Sequence, residues 1–196
     1  GAFGSLRNVG TTLARSTPLI FTSLCACFAY RCGVFNLGGE GQFLMGSIVC
    51  CYIATQSGIE GLPAILLCLV SGAVAGGLWS LISGLLKVYR GQNEMIITIM
   101  LNYVALYLVE YLVNNPFKSE GMVVRTEEIQ DSARLVSLVA HTRLNTGIFI
   151  ALLAVFLFWV LFYKTKLGYE MRATGDSPFA AESAGINNKK NLLAAM

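Results

Sequence analysis

The sequence predicts an all-α polytopic membrane protein with about five to six transmembrane or half-membrane helices, one of them broken near residues 36–42. Three observations lead there. Of the 196 residues, 55% are apolar and only 13% are charged, where soluble domains carry about a quarter charged residues; the mean hydropathy is +0.64. Long uncharged stretches recur, and the clearest, 62–86, has the length a helix needs to cross a bilayer. Between two apolar runs lies NLGGEGQ at 36–42, a polar, glycine-rich interruption.

The same composition excludes several classes. A net charge of +3, dispersed and without a basic block, gives no footing for nucleic acid. There is no GxxxxGK[ST] and no HExxH, so the chain is not expected to bind or hydrolyse ATP by itself. The six cysteines (Cys25, Cys27, Cys32, Cys50, Cys51, Cys68) lie in or beside apolar segments, form no CxxC pair and stand far from the one histidine, His141. They read as small apolar packing residues, with no metal site and no cofactor. No nucleophile, metal set or acid/base pair suggests an enzyme. The chain starts without Met or a signal-peptide pattern, and its last residues, NLLAAM at 191–196, read like the opening of a helix. The expectation is one transmembrane domain over 1–196, truncated at both ends.

Taken in order, residues 1–15 are polar enough, with Arg7 and Arg15, to be a loop or interfacial segment. Ser16-Thr17-Pro18 resembles an N-cap followed by proline in the first turn. The span it opens, 18–30, is about 13 residues against the ~20 needed to cross, so it is expected to end inside the membrane beside the break. Within 36–42, Gly38, Gly39 and Gly41 cost about 1 kcal/mol each in a helix, and Glu40 costs several more unless it faces protein or water. Irregular backbone at membrane depth is tolerated only where protein buries it or where it lines a cavity. Asn36, Glu40 and Gln42 are therefore placed on a permeation path. A second segment runs over 42–55, and 56–61 is a turn.

Along 62–86, Gly72, Gly76, Ser80 and Gly84 repeat every four residues. Small residues at that spacing let a second helix approach backbone to backbone, which is how helices associate in lipid. A short basic loop follows at 87–93, then a span over 94–113. Glu94, Thr98, Asn102 and Glu110 fall near one face of it, and a polar stripe on a membrane helix points inward. Asn93, Glu94 and Asn102 join the path on this reading, although Glu94 equally suits a headgroup-level position favoured by the helix dipole. The stretch 114–145 is an extramembranous loop in which 129–139 forms a short amphipathic surface helix. An aromatic-rich span covers 147–163, and a long polar loop covers 164–190.

Two spans separate the 87–93 loop from the 164–190 loop, so both lie on one side. Lys87, Arg90, Lys164, Lys166, Arg172, Lys189 and Lys190 sit on that side, against Lys118, Arg125, Arg134 and Arg143 on the other. The positive-inside rule makes 164–190 cytoplasmic and 114–145 external. Within the cytoplasmic loop, Gly175-Asp176-Ser177-Pro178 reads as a helix stop and restart, with Asp176 or Ser177 as N-cap and Pro178 at N1. A short helix over 178–184 would present Ala180, Ala181 and Ala184, small side chains suited to docking into another protein's groove.

Three stretches in order, FNLGGEGQFLMG at 35–46, NEMIITIMLNY at 93–103 and GYEMRATGDSPFAAESAGI at 168–186, resemble the inner-membrane permease subunits of bacterial ABC importers. The type is that of branched-chain amino acid and ribose importers, and the likeness is greatest to nucleoside or sugar permeases. The resemblance covers the whole chain. It implies that the first two stretches lie in membrane segments around the translocation path, and that the third is similar to the coupling helix that contacts the ATPase. Gly168, Arg172, Gly175, Pro178, Ala180, Ala181, Glu182 and Gly185 are then the coupling residues, with Arg172 and Glu182 fixing register by charge. It further implies a multi-pass protein of the bacterial inner membrane. Its partners would be a cytoplasmic ABC ATPase, a second permease subunit in a homo- or heterodimer, an extracytoplasmic substrate-binding protein and the lipid bilayer. The cysteines depart from the family's usual Ala and Gly. Two alternatives stay open on the residues alone: an ion-coupled secondary transporter, for which only Glu40 and Glu110 could serve as coupling carboxylates, and a membrane scaffold that transports nothing.

Overall fold

The computed structural model describes residues 4–118, 126, 135–138 and 144–196. Among them are eight helices: α1 Leu6–Arg31, α2 Gly39–Gln56, α3 Leu62–Arg90, α4 Glu94–Asn114, α5 Gly147–Lys164, α6 Lys166–Asp176, α7 Pro178–Ser183 and α8 Asn188–Ala195. Four segments are long and apolar enough to cross a membrane, namely Arg7–Arg31, Leu62–Arg90, Glu94–Asn114 and Gly147–Lys164. The chain is an all-α, multi-pass membrane protein. Its residues form two compact units, Gly1–Phe35 with Leu135–Ala195, and Asn36–Arg134 with Met196.

In the first unit, α1 starts well before Pro18, which lies inside the helix. The expected loop at 1–15 and the short first span are both corrected to one helix of 26 residues. Ser5 is its N-cap, accepting from the Asn8 amide at 3.2 Å. The hydroxyls that suggested a loop are satisfied within the helix: Thr11 donates to the Arg7 carbonyl, Thr12 to that of Asn8 and Thr17 to that of Leu13, at 2.9, 2.9 and 3.1 Å. Such back-bonding lets Ser and Thr sit in an apolar environment. The helix ends in a Schellman turn, with Gly33 at φ +80° and the amides of Gly33 and Val34 bonded to the carbonyls of Tyr30 and Ala29, both at 3.1 Å. That stop sets the break at 32–38, and Gly39 to Gln42 become the first turn of α2.

Helix α1 packs on α5 through Phe28, Phe158 and Phe162. The Phe28 and Phe162 rings meet edge to face at 4.7 Å and those of Phe158 and Phe162 stack at 4.7 Å, contacts worth about 0.5–1.5 kcal/mol each beyond area. Below them Cys32, Met171 and Ala195 complete a buried cluster. The stretch 164–190 is not a long loop: Thr165 caps α6 by accepting from the Gly168 amide at 3.2 Å, and α6, α7 and the start of α8 fill the segment. Of the expected surface helix at 129–139, residues 129–134 and 139 lie outside the described residues. Residues 135–138 are not helical, and Ser137 bridges antiparallel to Asn145.

The second unit is an α2–α3–α4 bundle. The ridge on α3 packs against α2, antiparallel and backbone to backbone. A Cβ on Gly46 would stand 2.8 Å from the Gly72 carbonyl oxygen, and one on Gly76 would stand 3.1 Å from that of Gln42. Farther along, the Cys68 thiol reaches the Cys50 carbonyl at 3.7 Å. In lipid, where burial of apolar area drives nothing, this close approach supplies the dispersion contacts that hold two helices together. Lys87 and Arg90 form the last turn of α3, so the basic loop expected at 87–93 shrinks to 91–93, with Gly91 left-handed at φ +65° as the helix stop.

Candidate functional site

The N-terminus of α2 has a glycine N-cap, Gly38, with no side chain to receive the first-turn amides. Neighbouring polar residues supply the acceptors. Asn36 Oδ1 accepts from the Gly38 amide at 2.8 Å, a local Asx turn. Asn102 of α4 spans the break: its Oδ1 accepts from the Gly41 amide and its Nδ2 donates to the Leu37 carbonyl, both at 2.9 Å. Thr98 Oγ1, donating to the Glu94 carbonyl at 2.8 Å, accepts from the Leu37 amide at 3.3 Å. Gln42 Nε2 donates to Asn36 Oδ1 at 3.2 Å and to Ser80 Oγ of α3 at 3.0 Å. At this helix start the backbone amides of Leu37, Gly38 and Gly41, which would be costly to leave open in a low-dielectric setting, are thus received by side chains from two segments, the break and α4.

The glycines are what let the parts meet. A Cβ on Gly41 would lie 2.9 Å from Asn102 Oδ1 and 3.1 Å from its Cα, and one on Gly38 would lie 3.0 Å from Asn36 Oδ1. Their helix penalty of about 1 kcal/mol each is the cost of bringing the break against α4.

Of the six residues the sequence placed on a path, the structure joins Asn36, Gln42 and Asn102 in one network. Glu40 stands on the adjacent side, where it lines a cleft of about 350 Å³ with Ile99, Asn102, Tyr103 and Leu106. Asn102 is eight residues into α4, about 12 Å along its axis, so the cleft opens within the span. Asn93 and Glu94 lie at the start of α4, where the Glu94 carbonyl accepts from Thr98 of the network at 2.8 Å. Asn93 is the N-cap, accepting from the Met95 amide at 3.0 Å, and Glu94 pairs with Lys87 Nζ of α3 at 2.7 Å. The pair closes the short α3–α4 turn, in the position a carboxylate favours at a helix start.

In the first unit, the coupling residues named from the sequence divide into two kinds. Gly168 and Gly175 are packing residues. A Cβ on Gly168 would fall 2.2 Å from the Leu161 carbonyl oxygen, and one on Gly175 would fall 2.4 Å from that of Arg31, so α6 lies directly on the ends of α5 and α1. Arg172 stacks over Tyr163 at 5.1 Å, and Arg31 donates to the Tyr163 hydroxyl at 3.4 Å. Lys164 covers Trp159 at 5.6 Å. Basic and aromatic side chains therefore gather where α1 and α5 end, as they do at a membrane interface.

Helix α7 is bounded on both sides. Ser177, rather than Asp176, is its N-cap, with Pro178 in the first turn, and a Schellman turn closes it, the amides of Gly185 and Ile186 bonding to the carbonyls of Glu182 and Ala181 at 2.9 and 3.0 Å with Gly185 at φ +79°. The three alanines do not share one outward face. Ala181 is 3% exposed, turned into the unit, while Ala180, Glu182 and Ala184 face outward. The most prominent outward side chain is Phe179, 85% exposed.

Several residues that position these surfaces escaped sequence reasoning. Thr174, buried on α6, donates to Asn188 Oδ1 at 3.2 Å and accepts from Asn191 Nδ2 at 3.0 Å, while Asn188 Nδ2 donates to the Pro178 carbonyl at 2.7 Å. Their small polar side chains looked like those of a solvated loop. Ser80 was read only as a small packing residue. Among the described residues no three His, Cys, Asp or Glu side chains gather as metal ligands, and the cysteines are free thiols. Burial pushes the Cys32 thiol up to about 11, which makes it an unreactive core group.

A family model described as "Branched-chain amino acid transport system / permease component" matches residues 8–196. The guanosine ABC transporter permease protein NupP of Bacillus subtilis is 36% identical across the whole chain, which spans 57% of that relative. The nucleoside ABC transporter permease protein NupB of Lactococcus lactis is 35% identical, again across the whole chain and 56% of the relative. The glucose ABC transporter permease protein TsgB13 of Haloferax volcanii is 28% identical over 89% of the chain and 49% of its own length. The chain thus spans a little over half the length of the two relatives it resembles at above 30% identity. No solved structure matches it.

Proposed function

The chain belongs to the family of branched-chain amino acid transport permease components, and from that premise we propose that it is the translocating subunit of an ATP-driven importer in a bacterial inner membrane. Its solute is a small neutral polar molecule, a nucleoside before a sugar, since the two relatives above 30% identity are named for guanosine and nucleosides. It works with a cytoplasmic ABC ATPase, a second permease subunit and an extracytoplasmic binding protein, and does no hydrolysis of its own.

The observation that carries this reading is the polar break held inside a membrane-spanning bundle. Asn36, Gln42, Ser80, Thr98 and Asn102 hold the break and the start of α2 in place, with Gly38 and Gly41 leaving room for them, where an inert anchor could use uninterrupted helix at a gain of about 1 kcal/mol for each glycine. Such breaks recur around solute paths. Energy enters from outside the chain, because a partner shifts inward and outward states only by its differential contact with them. The exposed α7, with Phe179, Ala180 and Glu182 outward, is the surface suited to that contact, and Arg31, Lys164, Lys166 and Arg172 beside it favour the cytoplasmic side.

Crosslinking tests the assignment. Single cysteines placed at Phe179 and Glu182 should join the ATPase subunit in inverted membrane vesicles; crosslinks that reach only the extracytoplasmic binding protein contradict both orientation and role.

A further inference from the structure

The cleft between the start of α2 and the middle of α4 contains a carboxylate, Glu40, that no described residue neutralises. Glu40 makes no ion pair or hydrogen bond among the described residues, yet it lies level with Asn102 and Tyr103, about 12 Å along a membrane-spanning helix. A carboxylate facing hydrocarbon at that depth costs several kcal/mol, so this side of the bundle faces water, a solute or further protein rather than lipid. Tyr103 strengthens the point. The residue is 60% exposed near the midpoint of α4, whereas tyrosines that face lipid gather at the two interfaces, where the hydroxyl is wet. Asn102, the third polar group of the cleft, has both ends of its amide committed to the backbone of the break. It serves as wall, which leaves Glu40 and Tyr103 to act on what enters.

The geometry points to this cleft as the solute-binding subsite of the path, with Tyr103 as a ring platform and Glu40 as the hydroxyl acceptor, selective for a neutral nucleoside over its phosphorylated form. The inference rests on the importer reading above and deepens it. A tyrosine face stacks any planar base regardless of its edge groups, and Ile99 and Leu106 border it with apolar surface. A carboxylate presents two acceptor oxygens and no donor, which suits the two adjacent hydroxyls of a ribose. Among the described residues no cation lines the cleft, and the same carboxylate repels a phosphate. The volume of about 350 Å³ is that of a small-molecule site.

The test reads the cleft directly. In the full complex, with the six native cysteines replaced and uptake retained, Leu106→Cys at the rim is labelled by a small thiol reagent with and without inosine. Inosine should slow labelling several-fold, and inosine 5′-monophosphate should not. Adding Tyr103→Leu should weaken that protection by roughly 10-fold or more in inosine concentration, the scale of one base–aromatic stack, while Tyr103→Trp keeps it; Glu40→Gln should let the monophosphate protect. If Leu106→Cys disturbs assembly, Ile99→Cys gives the same reading. A complex that takes up inosine but shows no protection, or a rim cysteine that never reacts because a neighbouring subunit covers it, overturns the subsite and leaves the importer standing. Protection without ATP-driven uptake leaves the subsite and overturns the importer.

Discussion

Asn102 caps a helix to which it does not belong: its Oδ1 accepts from the Gly41 amide of α2 at 2.9 Å while its Nδ2 holds the Leu37 carbonyl at the same distance. One side chain of α4 thereby fixes both edges of the break. Replacing it with leucine leaves a backbone donor and acceptor unpaired in a low-dielectric setting, a loss of about 1–3 kcal/mol for each. Asn102→Leu is expected to lower the thermal midpoint of the purified complex and to depress uptake together. Asn102→Asp, which keeps the acceptor for Gly41 and sets a carboxylate against the Leu37 carbonyl, should not restore either. A leucine variant as stable and as active as the parent would show that the break holds itself.

The contact between α2 and α3 makes a sharp pair of predictions. Gly46→Ala puts a methyl group 2.8 Å from the Gly72 carbonyl oxygen, while Gly77→Ala, one position from the ridge, meets nothing within 4 Å. The first should destabilise by about 1–3 kcal/mol, the overpacking range, and the second should be neutral or gain up to ~1 kcal/mol from helix propensity. Comparing the denaturation of the two variants in one detergent checks the difference; equal stabilities would mean the helices separate freely at Gly46.

This interface was legible in the sequence because small residues four apart on an uncharged membrane span have few other uses: Gly72, Gly76 and Ser80 all meet α2 or its side chains. The start of α1 was not legible, since Ser16, Thr17 and Pro18 look the same whether they cap a helix or lie inside one with hydroxyls bonded to Leu13. The packing role of Gly168 and Gly175 was hidden for a related reason. A glycine in a polar stretch resembles a loop, and only the backbone of Leu161 and Arg31 lying against them shows why no Cβ fits. For the break, the sequence marked Asn36, Gln42 and Asn102 as a group, but not what they bond to. The Asn102 partners are 61 and 65 residues away, beyond any local pattern. Periodicity marked Glu94 with Thr98 and Asn102 but not its pairing with Lys87, nor the N-cap role of Asn93 beside it.

Helix α7 separates two effects that the sequence merged. Phe179 faces outward and Ala181 inward, so Phe179→Ala should leave the complex folded, weaken retention of the ATPase during purification and lower solute-stimulated hydrolysis. Ala181→Asp places a charge in a buried position and should reduce the amount of folded protein instead. Size-exclusion profiles and subunit stoichiometry distinguish them. If Phe179→Ala keeps its ATPase and full stimulation, α7 is not the coupling contact.

Uptake driven by ATP is the most direct test. The permease pair, its ATPase and its binding protein are reconstituted in proteoliposomes, and entry of labelled inosine is followed with ATP, with ATP and a Walker-motif variant of the ATPase, and with an imposed proton or sodium gradient alone. The importer reading requires entry in the first condition and none above background in the other two. Entry that follows the ion gradient and ignores the Walker variant would contradict it and assign Glu40 or Glu110 to ion coupling in its place.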